Sequence, residues 1–168
     1  RVRHITNFIA AIKPLGAEAK KVITEDIAVA NAKFVVHYFR LSHDRRLLFG
    51  GGENYSYHFP SDIAARVRRP ILKIFPYLKY VRIDDAWGGT LAITARRMPY
   101  LTWRTPNMLS ASSFSGHGVG TATLPGQLIA LPISGQSEEF DTMSRMPSIP
   151  FPGGKWANSP ILKLTMAW

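Results

Sequence analysis

The chain has 168 residues, 46% apolar and 19% charged, a globular composition that is long enough to bury a core and unlike that of a disordered tail. Its 21 Lys and Arg against 11 Asp and Glu leave a formal net charge of +10. No apolar run reaches the ~18 residues of a membrane span, and the lack of cysteine removes disulfides, thiolate nucleophiles and Cys-ligated metal sites.

In chain order, residues 5–12 (ITNFIAAI) read as an apolar strand stopped by Pro14, and LGAEAKKVI then has helical composition. Residues 34–41 (FVVHYFRL) are β-branched and aromatic, a strand signal. The polar Ser42 to Arg45 turn and the apolar run up to Gly50 make 34–50 a β-hairpin. Ser61-Asp62 can cap a helix over 62–75, stopped by Phe75-Pro76. Residues 79–94 read as two strand pieces around Gly88-Gly89, and 107–113 as one more strand. A glycine turn, Ser115-Gly116-His117-Gly118-Val119-Gly120, follows, then TATLPGQLIALPI with helix-like apolar content and two prolines. The tail, with Phe151-Pro152-Gly153-Gly154, reads as irregular. Strands followed by a helix indicate an α+β fold.

The positive charge raises nucleic-acid binding, but the basic residues are scattered. The densest stretch, Arg66, Arg68, Arg69, Lys73, Lys79 and Arg82, begins on an amphipathic helix, where a solvated face is the commoner meaning. The five histidines show no HxH or HExxH spacing, so no metal site is expected. GxSxG is absent, and Asp84 and Asp85, adjacent on a strand, point to opposite faces rather than forming a dyad. The glycine turn has the form of an anion site: small residues admit a ligand to the backbone, where free N–H groups favour negative charge. On pattern alone, a tight strand-to-helix turn explains it equally well. Its spacing is not that of the dinucleotide fingerprint.

Together the pieces resemble the C-terminal part of the FAD-dependent amine oxidoreductases of the D-amino-acid oxidase type, nearest to the γ-glutamylputrescine oxidase branch. Four stretches carry the resemblance in the family's order. The first is Tyr38-Phe39-Arg40-Leu41-Ser42-x-Asp44-x-Arg46-Leu47-Leu48-Phe49-Gly50-Gly51. The second is Phe75-Pro76-x-Leu78, then Trp87-Gly88-Gly89 and Ala92-Ile93-Thr94-x-x-Arg97-x-Pro99. The third is Phe114-Ser115-Gly116-His117-Gly118-Val119, and the fourth joins Gly135-Gln136, Phe140-Asp141 and Phe151-Pro152-Gly153-Gly154.

The resemblance implies an antiparallel or mixed sheet of a substrate-binding domain over residues 1–104. Residues 105–168 would return to an FAD-binding domain by strand, turn and helix. The Rossmann part, with its GxGxxG, would belong to a missing N-terminal half, so the chain alone is expected to bind FAD weakly or not at all. The resemblance also implies a reaction: hydride transfer from an amine C–N carbon to flavin, imine hydrolysis, and O₂ reduced to H₂O₂. Ser115, Gly116, His117, Gly118 and Val119 would then face the cofactor. Tyr38, Arg40 and Trp87 become the candidate catalytic residues on the substrate side, with Gly89 beside them. Amino-acid-oxidising relatives often carry an Arg where this chain has Leu91, which favours an amine without an α-carboxylate. The expected setting is polyamine catabolism in the cytoplasm. The rival readings are a degenerate, non-catalytic fragment and, less favoured, a basic nucleic-acid-binding domain.

Departures from the family's pattern bear on those rivals. Ser113 stands where a glycine is usual, Gly52 where the branch often carries Arg, and Pro70, Pro125 and Pro132 fall within expected helices. A positive φ at Ser113 would cost ~1 kcal/mol or more. Each proline in a helix interior would cost ~3 kcal/mol, so the helices are expected to be kinked or short unless the copy is decaying.

Overall fold

A computed structural model describes residues 2–32, 36–54 and 58–150. Along these the elements are β1 (Val2–Ile12), β2 (Val29–Ala30), β3 (Tyr38–Leu41), β4 (Leu47–Gly50), α1 (Ile63–Ile74), β5 (Ile83–Thr94), β6 (Tyr100–Thr105), β7 (Met108–Ser112), α2 (Gly118–Thr121), α3 (Thr123–Ile133) and α4 (Glu138–Ser144). The chain divides into two compact units, residues 6–90 and residues 91–150 with 2–5.

The first unit holds a five-stranded sheet of order β2-β3-β4-β1-β5. The expected hairpin is present: β3 and β4 pair antiparallel, Tyr38 opposite Gly50 and Arg40 opposite Leu48. Its turn is closed from Ser42 N–H to Arg46 C=O at 2.9 Å, with Arg45 at φ +61. Residues 34–35 of that predicted strand lie outside the described residues, and Val36 and His37 precede β3 outside any strand. Strand alternation sends Phe8, Ala10 and Ile12 from β1, and Leu47 and Phe49 from β4, to one face. There they bury against Val67 and Ile71 of α1, and against Phe75 and Leu78 beyond it. Phe39 stacks on Phe49 at 5.9 Å and meets the edge of Phe75 at 5.1 Å.

The α1 helix starts where expected, because Asp62 accepts a hydrogen bond from Ala65 N–H at 2.8 Å. It continues through Pro70 to Ile74, held by its buried Val67 and Ile71. Three expectations need correction. The helical reading of LGAEAKKVI gives only a 3-10 helix, Gly16–Lys21. Residues 79–94 are not two strand pieces, since β5 runs unbroken through Gly88-Gly89. The short strand β2 was not foreseen, and pattern reading has little purchase on two residues.

The second unit pairs β6 with β7 as a hairpin, Leu101 opposite Ala111, with an irregularity between Trp103 and Thr105. Leu101, Leu128 of α3 and Phe140 of α4 form its core. The Trp103 indole donates to Asp141 Oδ1 at 2.8 Å and sits edge-on to Phe140 at 5.5 Å. That indole bond, and a second from the Ser137 hydroxyl, hold the Asp141 carboxyl below its ordinary pKa. Strand β6 and helix α4 were not foreseen either. One of the three prolines proves benign: Pro125 is the third residue of α3, where an N–H needs no helical partner. Pro132, in the last turn of α3, and Pro70, within α1, each remove one helical N–H.

Candidate functional site

Two features bear on function, one in each unit. The first is the face of the large sheet opposite α1. Alternation brings Asn7 and Ile9 of β1, Leu48 and Gly50 of β4, and Tyr38 and Arg40 of β3 to this side. Ile9, Leu48, Gly50, Tyr38 and Arg40 surround a cavity of about 280 Å³, nearly all carbon, completed by Trp87 and the β2 edge. The three residues singled out from sequence, Tyr38, Arg40 and Trp87, therefore line one cavity.

The Tyr38 ring crosses β4 directly over Gly50, where any Cβ would overlap the ring. Its hydroxyl donates to Asn7 Oδ1 at 2.8 Å. Partial burial, and secondarily the Glu53 charge, push the phenol pKa up, so it stays protonated at neutral pH. Arg40 meets Asp26 at 3.8 Å, with both side chains largely exposed, which leaves its guanidinium free to exchange partners. Trp87 stands 46% exposed at the cavity wall. Gly88, on the opposite face of β5, gives the reason for a glycine there: a Cβ would lie 2.7 Å from Phe8 and 2.6 Å from Phe59. Gly89 has open space around it. Sequence reading passed over Asn7, although a lone amide in an otherwise apolar strand was a usable signal.

The second feature is the glycine turn between β7 and α2. Ser113, Ser115 and Gly116 have φ of +60, +53 and +87. Two serines in the left-handed region are unusual for residues with a Cβ. The turn is tied down from inside. Ser115 N–H donates to Ala92 C=O at 3.1 Å, and its buried hydroxyl accepts from Thr94 N–H at 3.3 Å. The Ser115 side chain is thus committed inward, and whatever it offers a ligand comes through its backbone. His117 N–H returns to Phe114 C=O at 2.9 Å, while its own carbonyl accepts from Gly120 and Thr121. Among the described residues, the amides of Gly116, Gly118 and Val119 donate to no acceptor. The free amides of Gly116, Gly118 and Val119, around a left-handed glycine, offer donors to a negative charge. Val119 is fully exposed, and the nearest atom to a Cβ placed on Gly116 is Leu91 Cδ1, at 3.6 Å. The turn therefore fits the anionic edge of a planar cofactor.

Other candidates have structural partners. Asp84 is not half of a dyad: Arg82 Nε at 2.6 Å and Arg46 Nη1 at 2.8 Å both donate to it. The Arg82 bond leads, with Arg46 assisting, in holding the Asp84 carboxyl below the usual range. In the dense basic stretch, Arg66 caps the carbonyls of Gly52 and Glu53 at 2.8 and 2.7 Å, and Arg68 caps Val81 at 3.0 Å. Gly52 itself sits at φ +79, which explains a glycine there. Among the described residues no group of His, Asp and Glu is placed to hold a metal ion. No described helix is long and apolar enough to cross a membrane.

Comparison with known proteins bears on the family and the fold. The family model for FAD dependent oxidoreductases matches residues 1–131. The chain is 39% identical over 167 residues to the "Probable oxidoreductase OrdL" of Rhizobium meliloti (strain 1021), covering 99% of this chain and 39% of that protein. It is 37% identical over 150 residues to the "Gamma-glutamylputrescine oxidoreductase" of Escherichia coli (strain K12), covering 89% and 35%. The chain thus spans well under half the length of these relatives. Among solved structures, glycine oxidase from Geobacillus kaustophilus superposes with a TM-score of 0.66 at 16% identity, covering 89% of this chain and 40% of that one. L-proline dehydrogenase from P. horikoshii gives 0.63 at 22%, covering 82% and 37%. Both support the mixed α/β fold with its antiparallel sheet. With its family model matched over most of its length, the chain belongs to the FAD dependent oxidoreductases, and FAD is the family's cofactor.

Proposed function

We propose that this chain supplies the substrate face and the cofactor-facing turn of an enzyme that oxidises the C–N bond of an amine without an α-carboxylate. The carrying observation is that Tyr38, Trp87 and Arg40 line one apolar cavity. Its carbon lining suits a carbon chain. When bound, FAD supplies the hydride acceptor, with O₂ as the terminal oxidant giving H₂O₂. The amides of Gly116, Gly118 and Val119 would hold its anionic edge, with His117 and Ser115 shaping the turn. Tyr38, protonated at neutral pH, offers a hydrogen-bond donor at the substrate side but no strong base, which suits hydride chemistry. Leu91, a hydrocarbon beside Gly116, supports the exclusion of α-amino acids: no guanidinium stands there to pair a carboxylate.

In this reading residues 1–104 serve the substrate and 105–168 return to the FAD domain, with pyrophosphate and adenosine held by a preceding Rossmann segment. A cytoplasmic role in polyamine catabolism is part of the proposal, supported by the name of the Escherichia coli relative. The test is H₂O₂ release by the whole flavin-loaded protein. Oxidation of alkyl amines at a kcat/KM at least tenfold above that of α-amino acids is expected; the reverse preference would overturn the reading. The isolated 168 residues should bind FAD weakly or not at all, and saturable binding would refute that division.

One observation favours the rival reading of a decaying copy: Ser113 holds φ +60 where a glycine would be unstrained. A cooperative thermal melt with substantial helix would count against decay.

A further inference from the structure

The cavity on the open sheet face has a feature that its lining residues alone do not explain. Tyr38 does not stand up from β3 into the cavity. It lies down across β4 and reaches β1, two strands from its own strand β3. Two residues make this possible. Gly50, its direct partner in the register, leaves no Cβ where the ring rests. Asn7, two residues from the Ile9 that pairs with Gly50, sits where the ring ends and accepts the hydroxyl at 2.8 Å. Remove either and the ring has no reason to stay flat. A side chain at Gly50 evicts it, and loss of the Asn7 amide leaves a partly buried hydroxyl without its acceptor.

A ring held down in this way forms a floor. If it stood up, its bulk would fill part of a space of about 280 Å³ and narrow the gap between Ile9, Leu48 and Trp87. We propose that Gly50 and Asn7 are positioning residues that hold Tyr38 flat, and that this floor sets how long an alkyl chain the substrate cavity admits. The ligand chemistry is the uncharged hydrocarbon stretch of an amine, because the lining is carbon apart from the Tyr38 and Arg40 polar ends. The length limit rests on the substrate-face reading proposed above. The positioning itself does not, because it concerns contacts within one sheet.

The experiment has two arms so that these parts fail separately. The first measures thermal stability of the whole protein carrying Asn7→Ala, Tyr38→Phe or both. If Asn7 acts through Tyr38, each single change lowers Tm and the double change lowers it no further than the larger single one. Additive losses would overturn the positioning role. The second measures KM and kcat of the flavin-loaded protein on a homologous series of straight-chain primary amines, for the natural sequence, Gly50→Ala and the milder Asn7→Ala. The expectation for Gly50→Ala is a KM raised tenfold or more for the longest chains, with the shortest little changed and kcat nearly constant. Asn7→Ala should shift the same profile in the same direction by less. A uniform rise at all lengths, or none, would overturn the length-setting role. Coupling in the first arm with a flat profile in the second would place the fault in the substrate-face reading, leaving the positioning intact. If Gly50→Ala fails to fold, Asn7→Ala alone decides the second arm.

Discussion

The large sheet and the glycine turn hold their functional atoms in place by opposite means. On the sheet, Tyr38 and Trp87 are placed by what lies behind them: Phe8, Phe49, Val67 and Ile71 fill the other face and fix the strands. In the turn the backbone itself is the functional surface, and three positive φ values at Ser113, Ser115 and Gly116 shape it. Ser113 and Ser115 are buried, and single bonds, from Ser115 N–H to Ala92 C=O and from Thr94 N–H to the Ser115 hydroxyl, secure the turn. A site built on side chains can borrow rigidity from packing, whereas a site built on amides must set its own dihedrals and bear the strain locally.

The largest way to break this contrast is to open the packed side. Phe49 is fully buried, stacked on Phe39 and central to the core. Phe49→Ala should cost ~3–5 kcal/mol, a large part of a domain's ~5–15 kcal/mol, read as a drop in urea midpoint. The expected companion is loss of the cavity residues' order along with the fold. If Phe49→Ala left the melt unmoved, the sheet would not be what positions Tyr38.

A narrower test adds bulk in place of removing it. Gly88→Ala places a methyl 2.7 Å from the fully buried Phe8 ring and 2.6 Å from Phe59. Phe59 is half exposed and can move; Phe8 cannot. The expected loss is ~1–3 kcal/mol. Gly89→Ala, with open space around it, should cost less on steric grounds, so the two neighbouring glycines separate packing from chain freedom in one denaturation series.

The same contrast explains what could be read from sequence. The hairpin Tyr38–Gly50 and the α1 helix were legible because alternation, turn residues and the Asp62 cap all agreed. Tyr38, Arg40 and Trp87 were found through motif resemblance, and the cavity that joins them depends on non-local pairing, with 38 opposite 50 and 50 opposite 9. Asn7 was missed because its significance lies in a partner 31 residues away. The two-piece reading of β5 failed because Gly88-Gly89 looks like punctuation locally, while the Phe8 ring requires a glycine at 88 within a continuous strand. Pro125 looked damaging until the start of α3 placed it in the first turn, where its N–H has no helical partner to lose.

In the turn, the contrast predicts a gain. Ser113 is buried and held at φ +60, and its carbonyl accepts from the Ser115 hydroxyl, so its own backbone carries the shape. Ser113→Gly should relieve the left-handed penalty, partly offset by the freer unfolded chain, for a net gain near ~1 kcal/mol. On the sheet side the only such candidate among the described residues is Arg45, at φ +61 in the exposed β3–β4 turn rather than in a strand. A loss of stability in Ser113→Gly would mean that the hydroxyl, rather than the dihedral, matters at this position.

The smallest expected effect is electrostatic and belongs to the sheet unit. Arg82 and Arg46 donate to Asp84, and Ser42 and Arg46 to Asp44, so both carboxyls titrate below their ordinary range. A carboxyl whose folded pKa is depressed adds stability above its unfolded pKa, near ~3.9, and loses it as pH falls through the folded value. The stability of this unit should therefore be flat near neutrality and fall below about pH 4. Asp84→Asn should flatten part of that acid limb while lowering stability slightly at pH 7. These groups lie near solvent, so added salt should shrink the difference between the two proteins. An acid limb unchanged in Asp84→Asn would assign the pH dependence to other carboxyls, Asp141 in the helical unit first, since the Trp103 and Ser137 bonds depress it in the same direction.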